Sequence, residues 1–175
     1  MDETDPATQD PREAHPLSGV LAFWEDVTDD MEATAEEYRE AGWDVLALHP
    51  GDVTALPATY ADGTESDEFG LDVLVPGDEF RELESLVADT AFDAYEAYRA
   101  LQNDTVFLVV VMQAESAGKA VVFPVYYATS EADRMIELAR EAGEMHTFVR
   151  PLSNDRRVEF TQREPASLLP PSGGE

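Results

Sequence analysis

Arg150, Arg156, Arg157 and Arg163 place four of the chain's eleven basic residues within fourteen positions, faced there only by Asp155 and Glu159. That window carries a net +2 inside a chain of −27. A guanidinium presents a rigid fork of donors that matches a carboxylate or phosphate in bidentate fashion, so the group is a candidate site for an anionic or protein partner. Asn154-Asp155 is read as a turn, with Arg150 ending one strand and Arg156 and Arg157 opening the next. The competing use of these cations is internal pairing with the chain's own acids.

A second constellation surrounds His49, which, like Arg150, stands just before a proline at the end of a predicted strand. With Tyr60, Trp43 and the long segment 50–68 it could line the pocket of a small-molecule hydrolase or ligand sensor. His15 lies in a proline-rich acidic stretch, and His146 lies on a strand. No H-E-x-x-H spacing joins the three histidines, and with no cysteine the chain offers no thiolate, so neither a metal nor a cofactor is expected. G-x-S-x-G and G-x-G-x-x-G are absent, and Gly118-Lys119 lacks the rest of a phosphate loop. Against 38 acids, no two carboxylates stand out as a catalytic pair.

The elements that must position these residues read as helix-strand-strand, three times. Val20, Phe23, Trp24, Val27, Met31, Ala35 and Tyr38 recur at three and four residues and predict a helix over 17–41, stopped by Gly42. Strands follow at 43–48 and 69–75. Between them lies an irregular stretch with at most a turn of helix beginning at Asp52. Asp78 caps a second predicted helix whose stripe runs Phe80, Leu83, Val87, Ala91, Ala94, Tyr98, Leu101, with Asn103-Asp104 as its stop. Thr105–Gln113 is apolar at successive positions, as in a strand covered on both faces, and 120–128 returns as its hairpin partner. Pairing about the 116–119 turn puts Leu108, Val110, Met112, Phe123, Val125 and Tyr127 on one face, with Phe107, Val109, Val111, Val122, Pro124 and Tyr126 on the other. Ser130 with Asp133 reads as a capping box opening a third helix to Ala142, and strands at 145–150 and 156–162 complete the set.

The expectation is therefore one α+β domain over 17–163: a mainly antiparallel sheet of about six strands with three helices packed on it. Residues 1–16 and 164–175 read as flexible tails, one acidic and one rich in Pro and Gly. An internal echo supports the repeated unit. Arg39-Glu40-Ala41-Gly42 and Arg140-Glu141-Ala142-Gly143 each end a helix eight residues before a proline.

Charge sets the medium. A chain of 19.3 kDa exposes roughly 8,500 Å², so the surface carries about one net negative charge per 300 Å². Asp26, Asp29, Asp30, Glu32, Glu36, Glu37 and Glu40 crowd one helix, where i+3 and i+4 neighbours lie about 6 Å apart. The Debye length shortens from about 10 Å at 0.1 M to about 3 Å at 1 M, so molar salt damps this repulsion. With 43% hydrophobic residues in periodic blocks the chain folds rather than remaining disordered. The N-terminus lacks the features of a signal peptide and no apolar run reaches membrane length, which makes a cytoplasmic protein without a membrane the expectation.

The stretch Tyr38-Arg39-Glu40-Ala41-Gly42-Trp43, followed by Leu48-His49-Pro50-Gly51-Asp52-Val53, resembles a family of small uncharacterised haloarchaeal proteins. An Arg-rich acidity in which Lys119 is the single lysine strengthens that resemblance. It implies a cytoplasmic, salt-dependent protein and carries over no activity. The reading is a halophilic binding or adaptor protein without catalysis, acting through a sheet edge or the arginine hairpin. Its expected partner is a protein or another anionic molecule ahead of a nucleic acid.

Overall fold

A computed structural model describes residues 16–57, 68–153 and 155–171, with side chains from Phe23 onward. Helix α1 spans Pro16–Glu40, and strands β1 (Asp44–Ala47), β2 (Asp52–Leu56) and β3 (Gly70–Leu74) follow. Next come helix α2 (Gly77–Val87), strands β4 (Ala94–Gln102), β5 (Thr105–Ala114) and β6 (Lys119–Ala128), helix α3 (Asp133–Ala142), and strands β7 (Glu144–Arg150) and β8 (Val158–Arg163). The class is α+β. The eight strands among the described residues form two four-stranded sheets, ordered β1-β6-β5-β4 and β2-β3-β7-β8, in place of one sheet of about six. Four of the six strand pairings are antiparallel; β1 with β6 and β3 with β7 are parallel.

β5 explains the layering. All ten of its residues are buried, because both faces of its sheet are covered. The face bearing Leu108, Val110, Met112, Phe123, Val125 and Tyr127 meets Leu71, Val73, Met145, Val149 and Phe160 of the second sheet, and Phe123 stacks on Phe160 at 6.4 Å. α2 and α3 contribute Phe80, Leu83, Met135, Ile136 and Ala139 to that core. On the other face α1 lays Val27, Met31 and Ala35 over Phe107, Val109, Val111 and Val122. Phe23 against Phe107 at 4.7 Å and Trp24 against Tyr126 at 5.1 Å anchor the contact. Both faces of the β5–β6 hairpin are thus those the pairing rule requires, with Val110 opposite Phe123.

Three expectations fail on identifiable physics. The second helix ends at Val87, and Ala94–Gln102 is strand β4, an edge of the first sheet. Ala, Glu, Arg, Leu and Gln favour a helix intrinsically, but pairing residue for residue with β5 across the Asn103-Asp104 turn overrides that preference. Asn103, at φ 58°, belongs to a hairpin turn and not to a helix stop. The cap of α2 is Pro76, with Asp78 in the first turn, and α3 opens at Ala132 without a side-chain cap, after a 3₁₀ turn over Thr129–Glu131. Asp52–Leu56, expected to be irregular, is β2, paired antiparallel with β3.

The described part of the C-terminal segment is packed. Pro165–Leu168 forms a 3₁₀ turn, Leu168 and Leu169 are buried in the core, and the Tyr127 hydroxyl donates to the Leu168 carbonyl at 2.6 Å. The expected N-terminal tail and residues 172–175 lie outside the described residues, apart from Pro16, which opens α1. Gly70 lets β3 approach β7: at φ +137° any Cβ would collide with the His146 carbonyl oxygen. The echo ends two helices alike, Gly42 at φ +99° and Gly143 at φ +71°, each leading into a strand.

Candidate functional site

The arginine hairpin is built by β7 and β8, whose register pairs Val149 with Val158 and Glu144 with Arg163. Arg150, Arg156 and Arg157 therefore share one end of the hairpin and Arg163 stands at the other. At about 3.3 Å per residue the six-residue strand β8 spans roughly 20 Å, so the four do not gather in one patch. Three of them are engaged by the chain's own acids. Arg150 Nε donates to both Asp72 carboxylate oxygens, at 3.1 and 2.9 Å, across the β3–β7 pair. Arg156 sits 3.2 Å from Glu84 of α2 and over the Phe80 ring. Arg157 forks onto Glu68, with Nη1 at 2.8 Å from Oε1 and Nη2 closer still to Oε2, and its guanidinium lies 4.4 Å from the centre of the Phe148 ring. Arg157 holds the Glu68 carboxyl below its ordinary range, and Glu68 in turn raises the guanidinium. Arg163 has no ion pair among the described residues; its backbone carbonyl accepts the Tyr95 hydroxyl.

His49 follows β1 and is clamped between two helices. Its Nε2 lies 2.5 Å from Glu32 of α1 and its Nδ1 2.7 Å from Glu79 of α2, while its backbone N–H donates to the other Glu79 oxygen at 2.7 Å. A neutral imidazole carries one N–H, so the two contacts together favour the imidazolium. The ring's pKa is raised, foremost by the Glu32 hydrogen bond, against the opposing effect of partial burial, with Glu79 adding to the rise. Both nitrogens being occupied, His49 presents no free base to a substrate. Trp43 packs edge-on against Tyr38 at 5.3 Å within the cluster under α1, and Tyr60 lies outside the described residues. Among the described residues, His49 is held by Glu32 and Glu79 and Trp43 by Tyr38, with no contact between the two.

The longest edge strand among the described residues is one the sequence reading assigned to a helix. β4 is a nine-residue edge strand, against four, five and six residues in the other edge strands β1, β2 and β8. At about 3.4 Å per residue it offers roughly 30 Å of backbone whose outer N–H and C=O groups are not used by its own sheet. Tyr98 and Leu101, at 51% and 47% exposure, are large apolar side chains left in solvent on it. Beside it, between α1 and β4, runs a cleft of about 390 Å³ with Val27, Phe107 and Val109 in its wall and Asp30 and Glu37 on its rim. Glu96 accepts both the Tyr38 hydroxyl, at 3.0 Å, and the Tyr98 hydroxyl, at 2.9 Å, and Gln113 donates to Tyr38 at 2.8 Å. Desolvation, and then the Glu96 hydrogen bond and charge, push the Tyr98 hydroxyl up to about 12, so it remains a donor at any physiological pH. A two-residue Asn-Asp turn just before the apolar run of β5 was the signal that could have found this edge, since such a turn joins paired strands.

Among the described residues, no group of three or more acids and histidines is arranged to hold a metal, and no helix is long and apolar enough to cross a membrane. Fold and surface thus define an α+β protein with two packed sheets, an arginine hairpin in which three of the four cations are paired internally, and one long edge strand. Residues 11–170 match a family of unknown function (DUF7529), and the chain belongs to that family. No curated protein and no solved structure matches it.

Proposed function

We propose that this is a non-enzymatic binding or adaptor protein of a salt-rich cytoplasm, which takes an extended segment of a partner protein along β4. The observation that supports the reading is the open nine-residue edge with Tyr98 and Leu101 exposed upon it. Edge strands are ordinarily blunted by charge, proline or brevity, and β4 has only Glu96 and Arg99 for that purpose, with Glu96 engaged by two tyrosines. Added strands gain affinity from main-chain hydrogen bonds and specificity from pockets for alternate side chains, which the α1–β4 cleft supplies. Asp30, Glu37 and Glu96 select a segment carrying Lys or Arg between its apolar residues. Because main-chain pairing and apolar burial survive screening, this mode suits a protein of charge −27 in concentrated salt.

Selection of a random peptide library on the full chain in about 2 M KCl, where the Debye length falls below about 3 Å, tests the proposal. Recovered peptides should alternate apolar and basic residues, and Tyr98→Ala with Leu101→Glu should abolish their binding while leaving the melt in place. Peptides that lack the alternation, or that bind the double variant unchanged, would overturn it.

A further inference from the structure

We infer that the cavity between β4, α3 and the C-terminal segment is a binding site for a small organic monocarboxylate, held by Arg99 and Arg140. The inference does not rest on strand addition to β4, although Arg99 lines both this cavity and the α1–β4 cleft.

Of the described basic residues, Arg39, Lys119, Arg134, Arg150, Arg156 and Arg157 each have a carboxylate of the chain within ion-pair distance. Arg81, Arg99, Arg140 and Arg163 have none among the described residues, in a chain with 38 acids to offer, and of these four Arg99 and Arg140 line this cavity together. Their hydrogen bonds go instead to neutral carbonyls. Arg99 Nη1 donates to Ala166 at 2.9 Å and to Leu169 at 2.6 Å, and Arg140 Nη2 donates to Pro170 at 3.1 Å. Both guanidiniums line the same cavity, Arg99 from β4 and Arg140 from α3, each tied to a carbonyl of the C-terminal segment. Carbonyls fix their orientation without neutralising them, and Nε of each, with one further terminal nitrogen, is left to donate. Two like charges so placed favour an anion between them.

The cavity measures about 430 Å³, within the range of small-molecule sites, and Ala139, Pro165 and Leu169 give it an apolar wall. Glu164 also lines it. Its backbone is anchored by an N–H bond to the Gly143 carbonyl at 3.1 Å and by the Tyr95 hydroxyl, which donates to its carbonyl at 2.9 Å. With two guanidiniums and one carboxylate the lining contributed by the described residues is +1, which suits a monoanion. The apolar wall sets an organic body. Bidentate hydrogen bonding keeps the site selective where salt has removed long-range attraction.

The test is a ¹H–¹⁵N titration of the full chain with benzoate in about 2 M KCl, so that benzoate must displace chloride, with benzyl alcohol as the neutral isostere. Saturable shifts are expected at the Ala139, Gly143 and Ala166 amides with benzoate and not with benzyl alcohol. Arg140→Gln should weaken binding by about tenfold or more, the usual effect of losing a charged hydrogen bond. Because that change also frees the Pro170 carbonyl, Glu164→Gln supplies the opposite sign: it should tighten benzoate and admit inorganic phosphate. No saturable shift up to about 50 mM benzoate, equal response to benzyl alcohol, or unaltered affinity in both variants would overturn the assignment.

Discussion

Replacing Arg157 separates an arginine that recognises a partner from one that holds the fold. A free cation could be lost without effect on stability, whereas Arg157 lies between the Glu68 carboxylate and the Phe148 ring. Each partner can be given a magnitude. The ion pair has both side chains 40% exposed and contributes about 0–1 kcal/mol. The guanidinium over a ring that is itself only 2% exposed adds about 0.5–2 kcal/mol, part of it from shielding the ring. Arg157→Ala should then cost about 0.5–3 kcal/mol, which for a domain of this size lowers the midpoint by about 1–12 °C. Arg157→Lys keeps the charge but loses the fork and the planar stack, and should fall between the two. Circular dichroism melts in about 2 M KCl, where long-range charge effects are screened, measure both variants. Melts indistinguishable from the parent, together with loss of partner binding, would refute the structural role and return Arg157 to recognition.

Three further outcomes follow from the same structure. Stability should rise steeply between about 0.1 M and molar KCl as screening relieves the acids of α1, and a midpoint independent of salt would contradict the halophilic reading. His49 has a raised folded-state pKa, so its contribution is complete below the unfolded value of about 6.5 and is lost as pH rises through the folded value. Because its side chain is 44% exposed that contribution stays below about 1 kcal/mol; melts across that window should fall slightly, and His49→Gln should flatten the fall. Val110→Asp places an unpaired charge at a site only 1% exposed and should leave no folded protein by circular dichroism, a cost of several kcal/mol.

Legibility in the sequence followed the distance over which each decision is made. α1 carries its own periodicity, and the β5–β6 hairpin carries continuous apolarity around a tight turn, so both were readable with their faces. The segment 88–102 was not, because Ala94, Tyr98 and Leu101 satisfy a helical spacing as well as a strand, and only the partner β5 decides. β2 is five residues with two half-buried apolar positions facing inward, too short to stand out, and its pairing with β3 spans a long connection. That same error concealed the open edge, since Tyr98 and Leu101 were placed inside a buried stripe. The arginine cluster was visible as composition, but its acids, Asp72, Glu84 and Glu68, come from segments at least 66 residues away in sequence, which no local window reveals. Leu168 and Leu169 looked like part of a tail because their anchors, Tyr127 and Arg99, lie 41 and 70 residues away.

Hydrogen exchange at the amides of Ala94–Gln102, with and without a peptide recovered by the library selection, tests strand addition most directly. In the free protein the amides facing β5 should be protected and the outward ones should exchange freely. Peptide binding should then protect every second residue along β4, the alternation that pairing with a new strand imposes. Protection that appears elsewhere on the surface, or along β4 without a two-residue period, would contradict recognition through this edge.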